Sequence, residues 1–153
     1  MPETIEELAA HLVERGLATA ETLEPCTPEE VAQVREAQGV EALPPVYEEF
    51  LLRMGRRAGD LLRGTSVFYP GIVELADEMR DLLRENKVEH LVVPGSILLG
   101  MHQGYQLYWL EPGGQVHQYE EMETEIMESW PSLLGFLSDE TDRHLELRRR
   151  YPR

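Results

Sequence analysis

Cysteine is almost absent from this chain. Cys26 stands alone, so no internal disulfide can form, and a reducing compartment is the expected setting. Long apolar runs are missing too, which excludes a membrane-spanning helix. The opening Met1-Pro2-Glu3-Thr4-Ile5-Glu6-Glu7 is acidic where a secretory leader would be basic. The expectation is a cytoplasmic protein. Lysine occurs once, as Lys87, with arginine supplying the other cations; this reads as the coding habit of a GC-rich genome. Positive charge is scarce overall: 14 Lys and Arg face 29 Asp and Glu, for a net charge of −15. That sign repels phosphate backbones and argues against nucleic-acid binding. It also speeds encounter with a basic partner. The imbalance is uneven, since residues 1–50 hold 12 acids and two arginines while residues 51–100 balance to zero.

Catalytic signatures are equally sparse. There is no Gly-x-Ser-x-Gly elbow, and Ser66, Ser96, Ser129, Ser132 and Ser138 have no local pattern that would activate them. Gly55-Arg56-Arg57-Ala58-Gly59 lacks the Gly-Lys-Ser/Thr of a phosphate loop and suits a helix C-terminus, where cations and glycine are at home. His11, His90, His102, His117 and His144 show no zinc spacing, and Cys26 has no ligand neighbour. His102 and His117 fall in one meander and could meet across it. Asp77 and Asp81 sit on the polar face of a helix. With carboxylates this abundant, no single pair points to acid–base chemistry. The expectation is no enzyme activity, no cofactor and no metal.

What the chain does have is 42% hydrophobic residues in 153, enough for the core of one ordinary domain. Ile5, Leu8, Ala9, Leu12 and Val13 form one helical stripe ending near Gly16. Thr19 to Pro25 reads as a connector. Thr27-Pro28-Glu29-Glu30 opens a second helix with a capping box and a proline in its first turn. That helix stops at Gly39 and looks peripheral. A third follows Leu43-Pro44-Pro45, burying Tyr47, Phe50, Leu51 and Met54. A short edge strand is expected around Thr65 to Phe68. Pro70 starts a fourth helix with a stripe of Ile72, Leu75, Ala76, Met79, Leu82 and Leu83. Leu91-Val92-Val93-Pro94 is a candidate first strand limited by its proline. A last helix begins at Ser129-Trp130-Pro131-Ser132 and runs toward Arg148-Arg149-Arg150.

Only Ser96 to Tyr119 has a hydrophobic period of 2. Leu98, Leu99 and Met101 lead to His102-Gln103-Gly104. Tyr105, Leu107 and Trp109 then alternate with Gln106, Tyr108 and Leu110, and Val116 to Tyr119 follows Pro112-Gly113-Gly114. That is an antiparallel meander, too small to stand without helices on it. The predicted fold is α+β: a small, mainly antiparallel sheet, centred on a meander at about 96–119, packed against several helices. Residues 1–38 are expected as a helical extension of the domain formed by 39–153.

Tyr105, Leu107 and Trp109 share one side of their strand; Tyr108 and Leu110 share the other. One side must meet helices, and the other is either exposed or covered by the terminal segments. Cross-strand packing is the plain reading of the aromatic set. The sharper one is a protein-binding patch of Tyr105, Tyr108, Trp109 and Tyr119 rimmed by Glu120, Glu121 and Glu123.

The order of these signals resembles the SUKH superfamily, which includes the fungal Smi/Knr cell-wall assembly regulators. Leu43-Pro44 with Tyr47, Phe50 and Leu51 resembles its opening helix. Leu98-Leu99-Gly100 through Gly104 to Leu110 resembles its central hairpin, and Gly114 to Tyr119 its next strand. Ser132-Leu133-Leu134-Gly135-Phe136-Leu137 is similar to its closing helix. The family's frequent Asn-Gly-Gly-like turn is replaced here by Met54-Gly55-Arg56-Arg57-Ala58-Gly59. The resemblance implies a non-enzymatic protein-binding module. Bacterial members look like immunity proteins that neutralise a toxin, often a nuclease, of a competing cell; fungal members act as scaffold and regulatory hubs. The implied partner is a protein, a basic toxin domain by charge, with the chain itself a monomer or weak homodimer.

Overall fold

A computed structural model describes residues 2–152; Met1 and Arg153, the outermost residues of the two expected segments, lie outside them. Helix α1 (Ile5–Glu14) starts where Thr4 Oγ1 accepts the Glu7 N–H and buries Ile5, Leu8, Ala9 and Leu12. Val13 is 44% exposed, because at 100° per residue it falls on the edge of the stripe. Strand β1 (Leu23–Glu24) follows. Helix α2 (Pro28–Gln38) has the full capping box between Thr27 and Glu30 and ends on Gly39 at φ 71°, a left-handed conformation that glycine adopts without strain. Helix α3 (Pro45–Met54) buries Tyr47, Phe50, Leu51 and Met54. Strand β2 (Arg57–Ala58) pairs antiparallel with β1. This small ladder stands where a connector and a helix end were expected, since two-residue strands have no period to read.

Strand β3 (Thr65–Ser66) precedes α4 (Gly71–Glu85). The strand expected at Leu91 to Pro94 is absent. A 3-10 turn, Glu89–Leu91, takes its place, closed by hydrogen bonds from the Leu91 and Val92 N–H groups to Val88 and Glu89 carbonyls. Pro94 has no N–H to offer a ladder. The meander follows as β4 (Ile97–His102), β5 (Gln106–Leu110) and β6 (Val116–Glu120), then a short β7 (Glu128–Trp130) and the closing α5 (Leu133–Arg150), which is capped by Ser132. The protein is α+β: among the described residues, five helices, a five-stranded antiparallel sheet in the order β3-β4-β5-β6-β7, and the separate β1-β2 ladder. Among the described residues, no helix is long and apolar enough to cross a membrane.

Helices cover both faces of the sheet. On one face, Met79 and Leu83 of α4 pack with Leu98, Met101, Leu107, Trp109 and Tyr119. On the other, the apolar sides of α1, α3 and α5 share a core with Ile97, Leu99, Tyr108, Leu110, Val116 and Trp130. A bulge allows β4 to serve both faces. Leu98 pairs with Trp109 and Gly100 with Tyr108, leaving Leu99 as the extra residue, so Leu98 and Met101 share a face despite their odd spacing. Gly100 is required there: a Cβ would sit 2.3 Å from the Ser66 carbonyl oxygen.

Helix α2 is less peripheral than its composition suggests. Its last residue, Gln38, is buried. The Gln38 side chain accepts the Leu98 N–H (2.8 Å) and donates to the Leu98 carbonyl (2.9 Å). It thus acts as a neighbouring strand along the part of β4 that β3 is too short to reach.

Candidate functional site

The double helical cover corrects the aromatic-face expectation. Trp109 and Tyr119 are fully buried and Tyr108 is nearly so. Trp109 and Tyr119 are roofed by α4. Tyr108 packs in a tilted arrangement against Phe136 of α5, with ring centroids 5.1 Å apart, and against Trp130 at 6.3 Å. These three rings are core, and the Tyr108 hydroxyl is pushed up to about 12, first by burial and then by the charge of Glu140. Of the expected aromatic patch, Tyr105 remains on the surface, 38% exposed, at the β4–β5 turn.

Of the expected acidic rim, Glu120 and Glu121 lie beside Tyr105 and its neighbour Gln106. The Glu121 N–H donates to the Tyr105 carbonyl (2.8 Å), and Gln106 Nε2 donates to Glu120 Oε1 (2.9 Å). Glu121, Glu123 and Glu125 are exposed. Together with Glu120, they make no ion pair among the described residues. Met122 stands among them in sequence, 83% exposed, on a loop tied down by hydrogen bonds. Its N–H donates to Asn86 Oδ1 (2.7 Å), Asn86 Nδ2 donates to the Leu82 carbonyl (2.8 Å), and the Tyr119 hydroxyl donates to the Glu123 carbonyl (2.6 Å). Burial raises the Tyr119 pKa first, and the nearby Glu123 and Glu121 charges add to it. The buried tyrosine and the end of α4 thus hold up the acidic loop.

Helix α4 extends the surface. Between it and the β3–β4 edge runs a groove of about 510 Å³ carrying Glu78, Asp81 and Glu85 above Leu82, Met101 and Gly104. Asp81 is paired with Arg84 (3.0 Å). The sequence reading missed Met122 and Asn86. A usable signal was present: from Val88 to Asp142 the chain has ten acids and no lysine or arginine, and Met122 is an apolar residue inside the densest part of that run.

Further round the sheet, Arg143 answers three carboxylates at once, Glu128 (3.6 Å), Asp139 (3.5 Å) and Glu140 (3.3 Å). Burial is the main cause of a raised Glu140 pKa; Arg143 opposes it, and Asp139 and Glu128 reinforce it. A carboxyl raised on folding costs stability above its folded pKa, and that cost vanishes as pH falls below the unfolded value of about 4.3. Glu140→Gln should therefore stabilise the protein at pH 7, with the gain gone below about pH 4, as read by urea unfolding at the two pH values.

The two meander histidines do not meet. His102 Nδ1 lies 2.9 Å from Thr65 Oγ1 on β3. His117 Nδ1 lies 2.6 Å from Ser129 Oγ on β7, and its Nε2 is 3.0 Å from Glu111 Oε1 but off the line of a hydrogen bond. Strand β5 stands between β4 and β6. Cys26 is buried and its thiol is pushed up to about 11, by burial first and then by Glu30, which leaves it unreactive at neutral pH. Among the described residues, no three His, Cys, Asp or Glu side chains converge as a metal site. Neither a protein-family model nor a curated protein sequence matches this chain.

Proposed function

We propose that this chain is a non-enzymatic, SUKH-like protein-binding module of the immunity type, which neutralises a basic, nuclease-type toxin by covering it with the surface around Tyr105. The observation that carries the reading is the acidic run Glu120, Glu121, Glu123 and Glu125, without an ion pair among the described residues, next to one exposed tyrosine and carrying one exposed methionine on a hydrogen-bonded loop. Aromatic and methionine anchors supply buried contact area at protein interfaces. The acids supply steering and specificity toward cations.

The test is co-expression with toxins encoded beside the gene. Cells should survive, and a complex should be isolated. Glu121→Lys with Glu123→Lys should weaken that complex at least about a hundredfold, because each reversal replaces an attraction by a repulsion. Absence of protection against every neighbouring toxin would overturn the immunity reading. Capture of an endogenous protein on the same surface would favour the scaffold and regulatory reading.

A further inference from the structure

The antiparallel register sets His117 of β6 directly opposite Ser129 of β7. The Ser129 Oγ lies 2.6 Å from His117 Nδ1. At the ring's other nitrogen, Glu111 Oε1 stands 3.0 Å from Nε2. A hydroxyl, an imidazole and a carboxylate thus form one chain of contacts, the arrangement that activates a serine nucleophile. Local structure holds each member in place. Glu111 is fixed at the turn after β5, where its N–H donates to the Gln115 carbonyl (2.8 Å) and its carbonyl accepts the Gly114 N–H (2.9 Å). The His117 ring is 7% exposed and packs beside Trp109, with ring centroids 5.8 Å apart. Ser129 is exposed, on the edge strand of the sheet. A shielded base behind a solvent-facing hydroxyl leaves that hydroxyl open to an incoming reagent.

Charge selects the tautomer. A neutral imidazole has one N–H and one lone pair. A carboxylate beside Nε2 favours the proton there, because a lone pair would face a negative charge. Nδ1 is then the acceptor, and the Ser129 O–H donates to it. The Glu111 oxygen is off the line of a made hydrogen bond, a looseness common before a substrate arrives, with alignment tightening as charge develops. The other hydroxyl–histidine contact of the sheet lacks the third member. Thr65 Oγ1 lies 2.9 Å from His102 Nδ1 on the opposite edge, and no carboxylate pairs with His102 among the described residues.

We infer that Ser129 is an acylation site, a nucleophile that takes the acyl group of a small activated ester, with His117 as general base and Glu111 as the residue that positions it. The Ser129 oxygen attacks the carbonyl carbon of the ester while its proton passes to His117 Nδ1. The tetrahedral adduct then collapses: the bond from carbon to the leaving oxygen breaks, and Nδ1 returns the proton to that oxygen. The acyl group ends on Ser129, an alcohol or phenol is released, and nothing is oxidised or reduced. This is one transfer to the protein, not turnover. It does not rest on the Tyr105 surface. Tyr105 precedes β5 and Glu111 follows it, so the two lie at opposite ends of that strand.

The test is exposure of the full chain to p-nitrophenyl acetate, with acetylated residues located by peptide mass spectrometry. An acetyl group should appear on Ser129 at least about a hundredfold faster than on Ser66, which is exposed on the other edge strand. His117→Gln leaves a polar side chain beside Ser129 but no base, and should remove that advantage. Glu111→Gln should slow acetylation of Ser129 at least about tenfold. Long-range proton–nitrogen NMR adds a readout that a mere tie between strands would not move. Neutral His117 should carry its proton on Nε2 in the native chain, and Glu111→Gln should shift it toward Nδ1. Circular dichroism checks folding, and Glu111→Gln, at a turn, carries the test if His117→Gln does not fold. Acetylation of Ser129 no faster than of Ser66, undiminished acetylation in a folded variant of either residue, or a neutral native His117 protonated on Nδ1 overturns the inference.

Discussion

Trp109→Ala should destabilise the protein by about 3–5 kcal/mol, the range for deleting a large aromatic from a packed core, as measured by urea unfolding at 25 °C. The ring is fully buried against α4 and shares its cluster with Met79, Leu83, Leu98, Met101, Leu107 and Tyr119. Its Nε1–H has no hydrogen-bond partner among the described residues. Trp109→Phe should therefore cost clearly less than alanine, since part of the lost packing is offset by removing an unsatisfied donor. Tyr105→Ala, at the exposed turn, should change stability by under about 0.5 kcal/mol while weakening partner binding. Trp109 and Tyr105, on what reads as one face of a strand, separate buried core from exposed surface. A stable Trp109→Ala protein that had lost its partner would restore the aromatic-face reading.

Gln38→Ala should also cost about 2–6 kcal/mol, because it leaves both backbone groups of Leu98 buried and unpaired at about 1–3 kcal/mol each. The direct readout is amide exchange at Leu98, whose protection should fall further than the global stability does. Gln38→Leu fills the space but should fare little better, since both Leu98 groups stay orphaned. Gln38→Glu keeps the acceptor for the Leu98 N–H and loses the donor to the Leu98 carbonyl unless the carboxyl is protonated. A carboxyl buried there would have a raised pKa. Its destabilisation should be largest at neutral pH and should shrink as pH falls through the folded pKa toward about 4.3.

Much of the α+β architecture was legible along the chain. The capping box at Thr27 and Glu30, the stop at Gly39 and the period-2 meander are local devices, each written in a few adjacent residues. The last helix, expected from Ser129, starts later, because Ser129 and Trp130 pair in β7 and Ser132 is the cap. What escaped was non-local or too short to be periodic. The β1–β2 ladder joins residues more than thirty positions apart through two-residue strands. The bond from Gln38 to Leu98 spans sixty positions, and nothing in an amphipathic pattern marks a glutamine as a surrogate strand. The expected Leu91–Pro94 strand failed for local reasons: the 3-10 turn takes Leu91, and Pro94 stands in a turn with no N–H to give a ladder.

By itself, the sequence determined the class of fold, the excess of negative charge and the acidic loop that follows β6, because composition and short-range pattern suffice for each. Only the tertiary structure decided which aromatic rings are available. Strand alternation tells which side chains share a face, and the packing of helices from distant parts of the chain decides whether that face meets water. Here α4 closes one face and α1, α3 and α5 close the other, so of the expected aromatic set Tyr105 alone stays exposed, with Met122 exposed on the acidic loop.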